Sequence, residues 1–243
     1  GLEIHYDGDI PARSGMGSSS SFVVGLIKAV NSFNKIKLNK LHLAKESIYL
    51  EQTVLKETVG SQDQIAAAFG GLNSIKFFKN GKFKITPLIK DKKELKKFNK
   101  NFFLIFTGIN RTAKFIANTY VNKLANEKKN DLLKISNHVK TAKKLLIKKK
   151  YDDFGLLLNE TWKIKKSLSS KVSNPKIEKI YNRGILSGAS GGKLLGAGGG
   201  GFILFYVKKQ NQKKFKKEMN KYIDIPFQFS TEGSKIIFNQ KDG

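Results

Sequence analysis

A loop rich in glycine and serine, placed directly before an apolar helix-forming run, constrains this chain more than any other feature. Gly15 and Gly17 are followed by four serines, residues 18–21, and then by the run 22–30. Glycine permits tight turns and the close approach of a ligand, and serines can cap a helix. The first turn of such a helix presents unpaired N–H groups at the positive end of the helix dipole. The loop therefore predicts an anion-binding cradle that a triphosphate would fit.

Composition excludes several classes of protein. The chain has 243 residues, 40% of them hydrophobic, which is enough to bury a core in one large or two small domains. No apolar run reaches the roughly 18 residues that a membrane span needs, so we expect no membrane partner. The sequence has no cysteine, which removes disulfides, thiolate zinc sites and cysteine nucleophiles. This is compatible with a reducing cytoplasm, where we expect the protein.

The formal charge of +27 raises the hypothesis of nucleic-acid binding. The residue types argue against it, because only Arg13, Arg111 and Arg183 are arginines among 46 basic residues. Bidentate recognition of phosphates and guanines favours the guanidinium group over the lysine ammonium. We therefore predict a solvated lysine surface that attracts anionic substrates, and no nucleic-acid partner.

Local patterns define the elements of the first hundred residues. Asn39 is a candidate helix cap, Gly70 and Gly71 a helix end, and Asn80-Gly81 the centre of a hairpin. Alternation of apolar and polar residues at the start of the chain is typical of a half-buried strand. These patterns predict a strand at 2–6, helices at 22–30, 40–58 and 63–69, and hairpin strands at 74–78 and 82–87.

The lysine-rich segment 90–100 has few apolar residues and is predicted to be a solvated linker or surface helix. We place a domain boundary there, between an amino-terminal domain, 1–98, and a carboxy-terminal domain, 99–243. The second half is predicted to contain strands at 101–107, 202–207 and 236–238, three helical stretches within 113–168, and helices at 175–184 and 210–222. Because strands and helices are grouped without strict alternation, the fold class is α+β.

Three segments occur in an order typical of a known superfamily. They are the loop around Gly17, then Glu51 followed by residues 60–64 and Gly70-Gly71, and finally the glycine-rich segment 196–202. They resemble the motifs of the galactokinase, homoserine kinase, mevalonate kinase and phosphomevalonate kinase (GHMP) superfamily. Segments 59–73, 107–113 and 191–202 are most similar to heptose 7-phosphate kinases. The resemblance spans essentially the whole chain and implies a two-domain GHMP kinase fold. Its parts would be a truncated, ribosomal protein S5 domain 2-like amino-terminal part and a ferredoxin-like, helix-rich carboxy-terminal domain.

The resemblance also implies an ATP- and magnesium-dependent sugar kinase and assigns residues to roles. Ser19 and Glu51 would contact Mg²⁺, for which oxygen ligands are suited. Asp63 would accept the proton of the sugar hydroxyl that attacks ATP. Arg111 and Lys193, with Asp63, are the candidates for substrate binding. The residues implied to bind the ATP phosphates are Gly15, Gly17, Ser18, Ser19, Ser20, Gly198, Gly199 and Gly200.

Each of these residues also has a purely structural interpretation. Glu51 could be an exposed charge on a helix, Asp63 a helix cap, and segment 196–201 a tight turn before a strand. Rival motifs fail on context. The Gly-x-Gly-x-x-Gly pattern at 196–201 precedes a strand instead of following one, and the Gly-x-Ser-x-Gly pattern at 188–192 has no histidine after it. A Walker loop fails because Leu194 follows Lys193.

The superfamily's first motif, carried on strands before the phosphate loop, has no counterpart in the sequence. We therefore expect either a fragment or a separately encoded amino-terminal segment that supplies those strands. Alternatives to a heptose 7-phosphate kinase are another GHMP sugar kinase of the galactokinase or fucokinase type, and a truncated, non-catalytic remnant or binding subunit. The sequence leaves the oligomeric state open, a homo-oligomer included.

Overall fold

The computed structural model describes residues 1–10, 14–110, 113–124 and 126–239, and these form an α+β fold, as predicted. The helices are α1 Ser18–Phe33, α2 Lys40–Tyr49, α3 Gln62–Phe69, α4 Lys92–Asn99, α5 Ala113–Asn118, α6 Lys129–Ile147, α7 Tyr151–Ser167, α8 Pro175–Leu186 and α9 Gln212–Met219. A π-helical turn covers Leu50–Val54, and 3₁₀ turns cover Val121–Lys123 and Lys209–Asn211. The strands are β1 Asn73–Phe77, β2 Phe83–Pro87, β3 Phe102–Phe106, β4 Ala189–Leu194 and β5 Phe202–Val207. None of the helices in these ranges has the length and apolarity required to cross a bilayer.

Helices α1 to α3 pack on one another and on the β1–β2 hairpin. Their shared core contains Val24, Leu43, Ala44, Ile65 and Ala68. The hairpin turn is the predicted one, because Gly81 takes a positive φ of 75° and Asn80 Oδ1 accepts a hydrogen bond from the Lys82 N–H. The predicted cap of α2 is also confirmed, since Asn39 Oδ1 accepts from the His42 N–H.

A second, antiparallel sheet has the strand order β3-β5-β4. Phe103 and Phe205 lie opposite each other on the face that packs against α8 and α9. Phe102 and Tyr206 are also opposite each other, and they belong to a separate cluster that includes α6 and α7 residues. Both faces of this sheet are therefore covered. Strand β4 was not predicted, because its Ala-Ser-Gly-Gly-Lys sequence has little β propensity and depends on pairing with β5.

Segment 90–100 is a core-forming helix and not a linker. Asp91 caps α4 by accepting a hydrogen bond from the Glu94 N–H at 2.7 Å. Leu95 and Phe98 are buried, and Phe98 contacts the rings of Phe102, Tyr151, Phe154 and Phe229. Two apolar residues at helical spacing were enough to bury one face of a segment that is otherwise lysine-rich. The domain boundary at 98/99 stays a prediction, and it falls at the end of α4.

Two predicted strands are absent from the ranges that the structure describes. Leu2, Ile4 and Tyr6 are 59–63% exposed in an extended segment that pairs with no described strand. Residues 236–238 likewise form no strand, and Ile237 is 89% exposed. Alternation indicates a strand only where a partner supplies the hydrogen bonds and covers the apolar face.

Helix boundaries also differ from prediction. The helix predicted over 40–58 ends as α2 at Tyr49 and continues only as the π-helical turn. Its buried residues are Leu43, Ala44 and Ser47, whereas Leu41 and Leu55 are exposed. The three predicted helical stretches within 113–168 are α5, α6 and α7, and α5 is the shortest, since it ends at Asn118. The basic helix α9 buries Phe215 and Met219, so it has a packed face as well as a solvated one.

Candidate active site

The phosphate loop, residues 14–17, leads into α1 as predicted, but the serines that follow it do not cap the helix. Gly17 occupies the N-cap position with a left-handed φ of 72°, and the cap makes no side-chain hydrogen bond. The serines instead form the first turn, so their side chains project from the helix. The Ser21 N–H donates to the Gly17 carbonyl at 2.9 Å, whereas the N–H groups of Ser18, Ser19 and Ser20 have no acceptor among the described residues and remain available to an anion. Residues 11–13, which precede the loop, lie outside the described residues.

Glu51 is buried beneath this first turn, with 1% of its surface exposed. One carboxylate oxygen, Oε1, accepts a hydrogen bond from Ser19 Oγ at 3.0 Å. The other, Oε2, accepts from Ser20 Oγ at 2.7 Å and from the Gln64 amide. Glu51 lies in the π-helical turn, an irregularity that is frequent at functional sites. The interpretation of Glu51 as an exposed helix charge is therefore wrong.

Asp63 lies in the first turn of α3 and faces the phosphate loop. A Cβ atom added to Gly17 would be 3.3 Å from the Asp63 carboxyl carbon. Asp63 is not the cap of α3, a position that Ser61 occupies. Its carboxyl group is partly exposed to solvent. Desolvation, followed by the nearby negative charge of Glu51, nevertheless raises its pKa, against a smaller lowering by a hydrogen bond from Gln62.

These oxygens fit a magnesium ion. Glu51 is a buried carboxylate whose hydrogen-bond donors are all neutral, and the Gln64 Oε1 atom beside it is buried without a partner among the described residues. A cation would offset the charge that Glu51 and Asp63 bring together. Within the described ranges no cluster of three or more histidine, cysteine or acidic residues exists. Mg²⁺ needs no such cluster, because it is often held by one or two carboxylates together with phosphates and waters.

The glycine-rich segment 196–201 joins β4 to β5 and reaches the phosphate loop. A Cβ atom on Gly201 would overlap the carbonyl oxygen of Ser14, and Gly201 has a φ of 93°. The Gly201 carbonyl accepts two hydrogen bonds from Thr107, one from Oγ1 at 2.7 Å and one from N–H at 2.9 Å. Its own N–H donates to the carbonyl of Ile109. This glycine therefore lets the sheet support the phosphate loop by direct backbone contact.

The three glycines of this segment that were predicted to bind phosphate are Gly198, Gly199 and Gly200, and they pack closely against neighbouring protein segments. The Gly199 N–H donates to the Val172 carbonyl at 2.8 Å, so the protein already uses it. The N–H groups of Gly198 and Gly200 have no acceptor among the described residues. Added Cβ atoms on Gly198 and Gly200 would lie 2.8 Å from Val172 and 2.7 Å from the Ile109 carbonyl. Close approach of protein backbone therefore explains these glycines at least as directly as ligand binding does.

Two residues were proposed to bind the sugar phosphate, Arg111 and Lys193. Arg111 lies outside the described residues. Lys193 is half-buried in the middle of β4, opposite Leu204, and desolvation lowers its pKa. No hydrogen bond or ion pair links its ammonium group to another described residue. Its assignment to the substrate site stays a prediction.

Two contributors to the site were missed by the sequence reasoning. Gln64 holds Glu51, and Thr107 holds Gly201. Helical spacing with Ile65 and Ala68 places Gln64 on the buried face of α3, and this was the available signal. Thr107 follows the apolar β3, where a polar residue that is 2% exposed must find a partner.

Comparison with known proteins identifies the family. The model of the GHMP kinase amino-terminal domain matches residues 1–71, and the model of the GHMP kinase carboxy-terminal domain matches residues 142–225. The chain belongs to the GHMP kinase family. Its α+β architecture is the GHMP kinase fold, and the family consists of ATP-dependent kinases of sugars and other metabolites.

Relatives within the family share most of this chain. The D-glycero-alpha-D-manno-heptose 7-phosphate kinase of Campylobacter jejuni is 35% identical over 96% of the chain and 70% of its own length. The mevalonate kinase of Methanocaldococcus jannaschii is 32% identical over 91% of the chain and 66% of its length. The crystal structure of a D-glycero-D-manno-heptose 1-phosphate kinase from Bacteroides thetaiotaomicron superposes with a TM-score of 0.72 at 27% identity, covering 93% of this chain and 64% of that one. This chain therefore spans about two thirds of the length of such relatives.

The raised pKa of Asp63 predicts an effect on stability. The ionised form is less favourable in the folded GHMP kinase than in the unfolded chain, so stability is lost as pH rises through the folded-state pKa. We expect Asp63→Asn to raise the Tm at pH 7 in the absence of nucleotide and divalent cations. The difference should vanish below about pH 4, where both states bind the proton.

Thermal unfolding followed by circular dichroism across this pH range checks the expectation. Asp7→Asn, in the exposed amino-terminal segment, is the matched control and should leave the Tm unchanged at every pH. A lower Tm of Asp63→Asn at pH 7 would mean that its hydrogen bond with Gln62 outweighs desolvation and the Glu51 charge.

Proposed function

We propose that this GHMP kinase transfers the γ-phosphate of ATP to the anomeric hydroxyl of D-glycero-D-manno-heptose 7-phosphate, with Mg²⁺ as the cation. The observation that carries the proposal is the convergence of Asp63, Glu51 and Ser19 around Gly17, at the amino-terminal end of α1. Phosphoryl transfer needs little more than this: positioned phosphates, a bound cation and a carboxylate that orients the acceptor. ATP and phosphorylated sugars are cytoplasmic metabolites, and we place the enzyme there.

In this mechanism the first turn of α1 binds the ATP phosphates with its free N–H groups. Ser19 and Glu51 would hold Mg²⁺, which supplies neutralisation of phosphate charge when bound. Asp63 accepts the proton of the sugar hydroxyl as it attacks the γ-phosphorus, or orients that hydroxyl. Both roles require ionised Asp63, and positive charge in the site lowers a pKa that desolvation raises.

The choice of sugar is supported by the relatives. Two of them are named as kinases of heptose phosphates, at 35% and 27% identity. We infer that the substrate is a heptose monophosphate and that its phosphate is bound by cationic side chains, with Arg111 and Lys193 as the candidates. A mevalonate kinase at 32% identity and two fucokinases at 24% and 28% are also relatives, so mevalonate and fucose are the alternative acceptors to test.

We further propose that the complete substrate site needs strands besides those in residues 1–243. The β1–β2 hairpin pairs with no other strand among the described residues, and Leu2, Ile4 and Tyr6 are exposed in the amino-terminal segment. Unpaired strand edges are templates for further pairing. A separately encoded amino-terminal segment could supply such strands.

An assay of ADP formation tests the function directly. Residues 1–243, alone and together with a candidate amino-terminal segment, are incubated with ATP, Mg²⁺ and one acceptor: heptose 7-phosphate, galactose, fucose or mevalonate. We expect the highest kcat/KM with heptose 7-phosphate, and only when the segment is present, because misplacement of a substrate by about 1 Å can cost about a hundredfold in rate. Preference for another acceptor would identify a different GHMP kinase. ATP binding without turnover of any acceptor would favour a non-catalytic binding subunit.

We predict that Gly17→Val abolishes ATP binding. Gly17 has a left-handed backbone conformation, which a β-branched residue adopts only with strain. The valine side chain would also project toward Asp63, where the backbone must approach the phosphate. Calorimetric titration with MgATP measures the affinity. Gly25→Val is the control, because Gly25 lies within the same helix with open space around its Cβ position. Equal affinity in Gly17→Val and wild type would show that the loop is not the phosphate site.

The two carboxylates should have separable effects on catalysis. Asp63→Asn is expected to lower kcat by about a hundredfold, the low end for a general base, because the transition state is loose, while ATP affinity stays nearly unchanged. Glu51→Gln is expected instead to raise the Mg²⁺ concentration needed for half-maximal rate. Steady-state kinetics over a magnesium series separates the two. Wild-type turnover in Asp63→Asn, with chemistry rate-limiting, would remove Asp63 from the base role.

A further inference from the structure

The two oxygens of the Glu51 carboxylate have different surroundings. Oε2 accepts two hydrogen bonds, from Ser20 Oγ at 2.7 Å and from the Gln64 amide. Oε1 accepts one, from Ser19 Oγ at 3.0 Å. Ser20 and Gln64 are buried, whereas Ser19 is exposed. The carboxylate is thus held on the core side by one oxygen, while its other oxygen contacts the exposed Ser19 in the first turn of α1.

The Gln64 amide orientation follows from this contact. Its Nε2 donates to the carboxylate, and its Oε1 is buried without a partner among the described residues. Exchanging the two amide atoms would set a carbonyl oxygen against an ionised carboxylate, which is repulsive. A buried acceptor without a donor costs free energy, so the fold retains an unfavourable group in order to keep this hydrogen bond.

We propose that Gln64 is a positioning residue that, with Ser20, fixes Glu51 so that Oε1 is the oxygen presented to the cation. The inference deepens the proposed function and rests on it. Because Gln64 directly follows Asp63 in α3, the same helix turn would set both the cation-facing oxygen and the acceptor-facing carboxylate. Groups that orient a metal ligand typically change metal affinity by about 10- to 100-fold when removed.

The test compares ATP affinity with and without Mg²⁺ in the full chain, measured by calorimetry. Gln64→Met keeps the length of the side chain but removes the donor. We expect the gain in ATP affinity caused by Mg²⁺ to fall by about tenfold in this variant, while the metal-free affinity stays within about twofold of wild type. Gln212→Met is the matched control, because that amide donates to the Lys100 and Val207 carbonyls at the end of β5 away from the glycine-rich segment.

A second variant guards against a folding defect. Ser20→Ala removes only a hydroxyl from the same Oε2 atom and should reduce the Mg²⁺-dependent gain in the same direction. If Gln64→Met does not fold, as judged by circular dichroism, Ser20→Ala decides the question.

The outcomes separate this inference from the proposed function. Equal losses of ATP affinity with and without Mg²⁺ would indicate a general structural role and overturn the positioning role. An unchanged gain in the folded variants would also overturn it. If wild type binds ATP but shows no gain from Mg²⁺, the cation site itself is wrong, and if wild type binds no ATP, the proposed function fails first.

Discussion

The carboxylate of Glu51 is the group on which the arrangement of the amino-terminal part depends. A carboxyl group that is 1% exposed needs hydrogen-bond partners, because desolvation without hydrogen bonds is costly. Its donors come from α1 and α3, which carry Ser19, Ser20 and Gln64. Satisfying this one group therefore fixes the π-helical turn, the phosphate-loop helix and the helix of Asp63 relative to one another.

Asp63 and Gln64 are adjacent in α3 but have different surroundings. The side chains of successive residues on an α-helix point about 100° apart, so Asp63 can face the phosphate loop while Gln64 faces the core. Asp63 lies against Gly17 and carries a raised pKa, whereas Gln64 is fully buried and bonded to Glu51. The proposed base, Asp63, therefore lies at the phosphate loop, whereas Glu51 is held in the core by three hydrogen bonds.

The phosphate loop is supported from the other side by backbone contact. Gly201 touches Ser14 so closely that no side chain fits between them, and Thr107 holds the Gly201 carbonyl with two hydrogen bonds. Thr107 directly follows β3, whose residues are buried in the core of the second sheet. Through Thr107 and Gly201, the second sheet therefore supports the phosphate loop by direct backbone contact.

Local sequence patterns were sufficient to predict the features that depend on neighbouring residues. Gly17 before an apolar run predicted the start of α1, Asn80-Gly81 predicted the hairpin, and continuous apolar runs predicted β3 and β5. Each of these depends on dihedral preferences or on residues a few positions apart. The order of the three motifs also indicated the family, and the resemblance named Glu51 and Asp63 as candidate site residues.

Features that depend on partners distant in the chain became visible only in the folded structure. It left residues 2–6 and 236–238 unpaired, made β4 a strand through β5, and buried Phe98 within a lysine-rich helix. It bonded Gln64 to Glu51, thirteen positions earlier, and Thr107 to Gly201, ninety-four positions later. Strand pairing and the burial of a polar group both require a second segment that supplies hydrogen bonds. A local sequence pattern does not identify that segment.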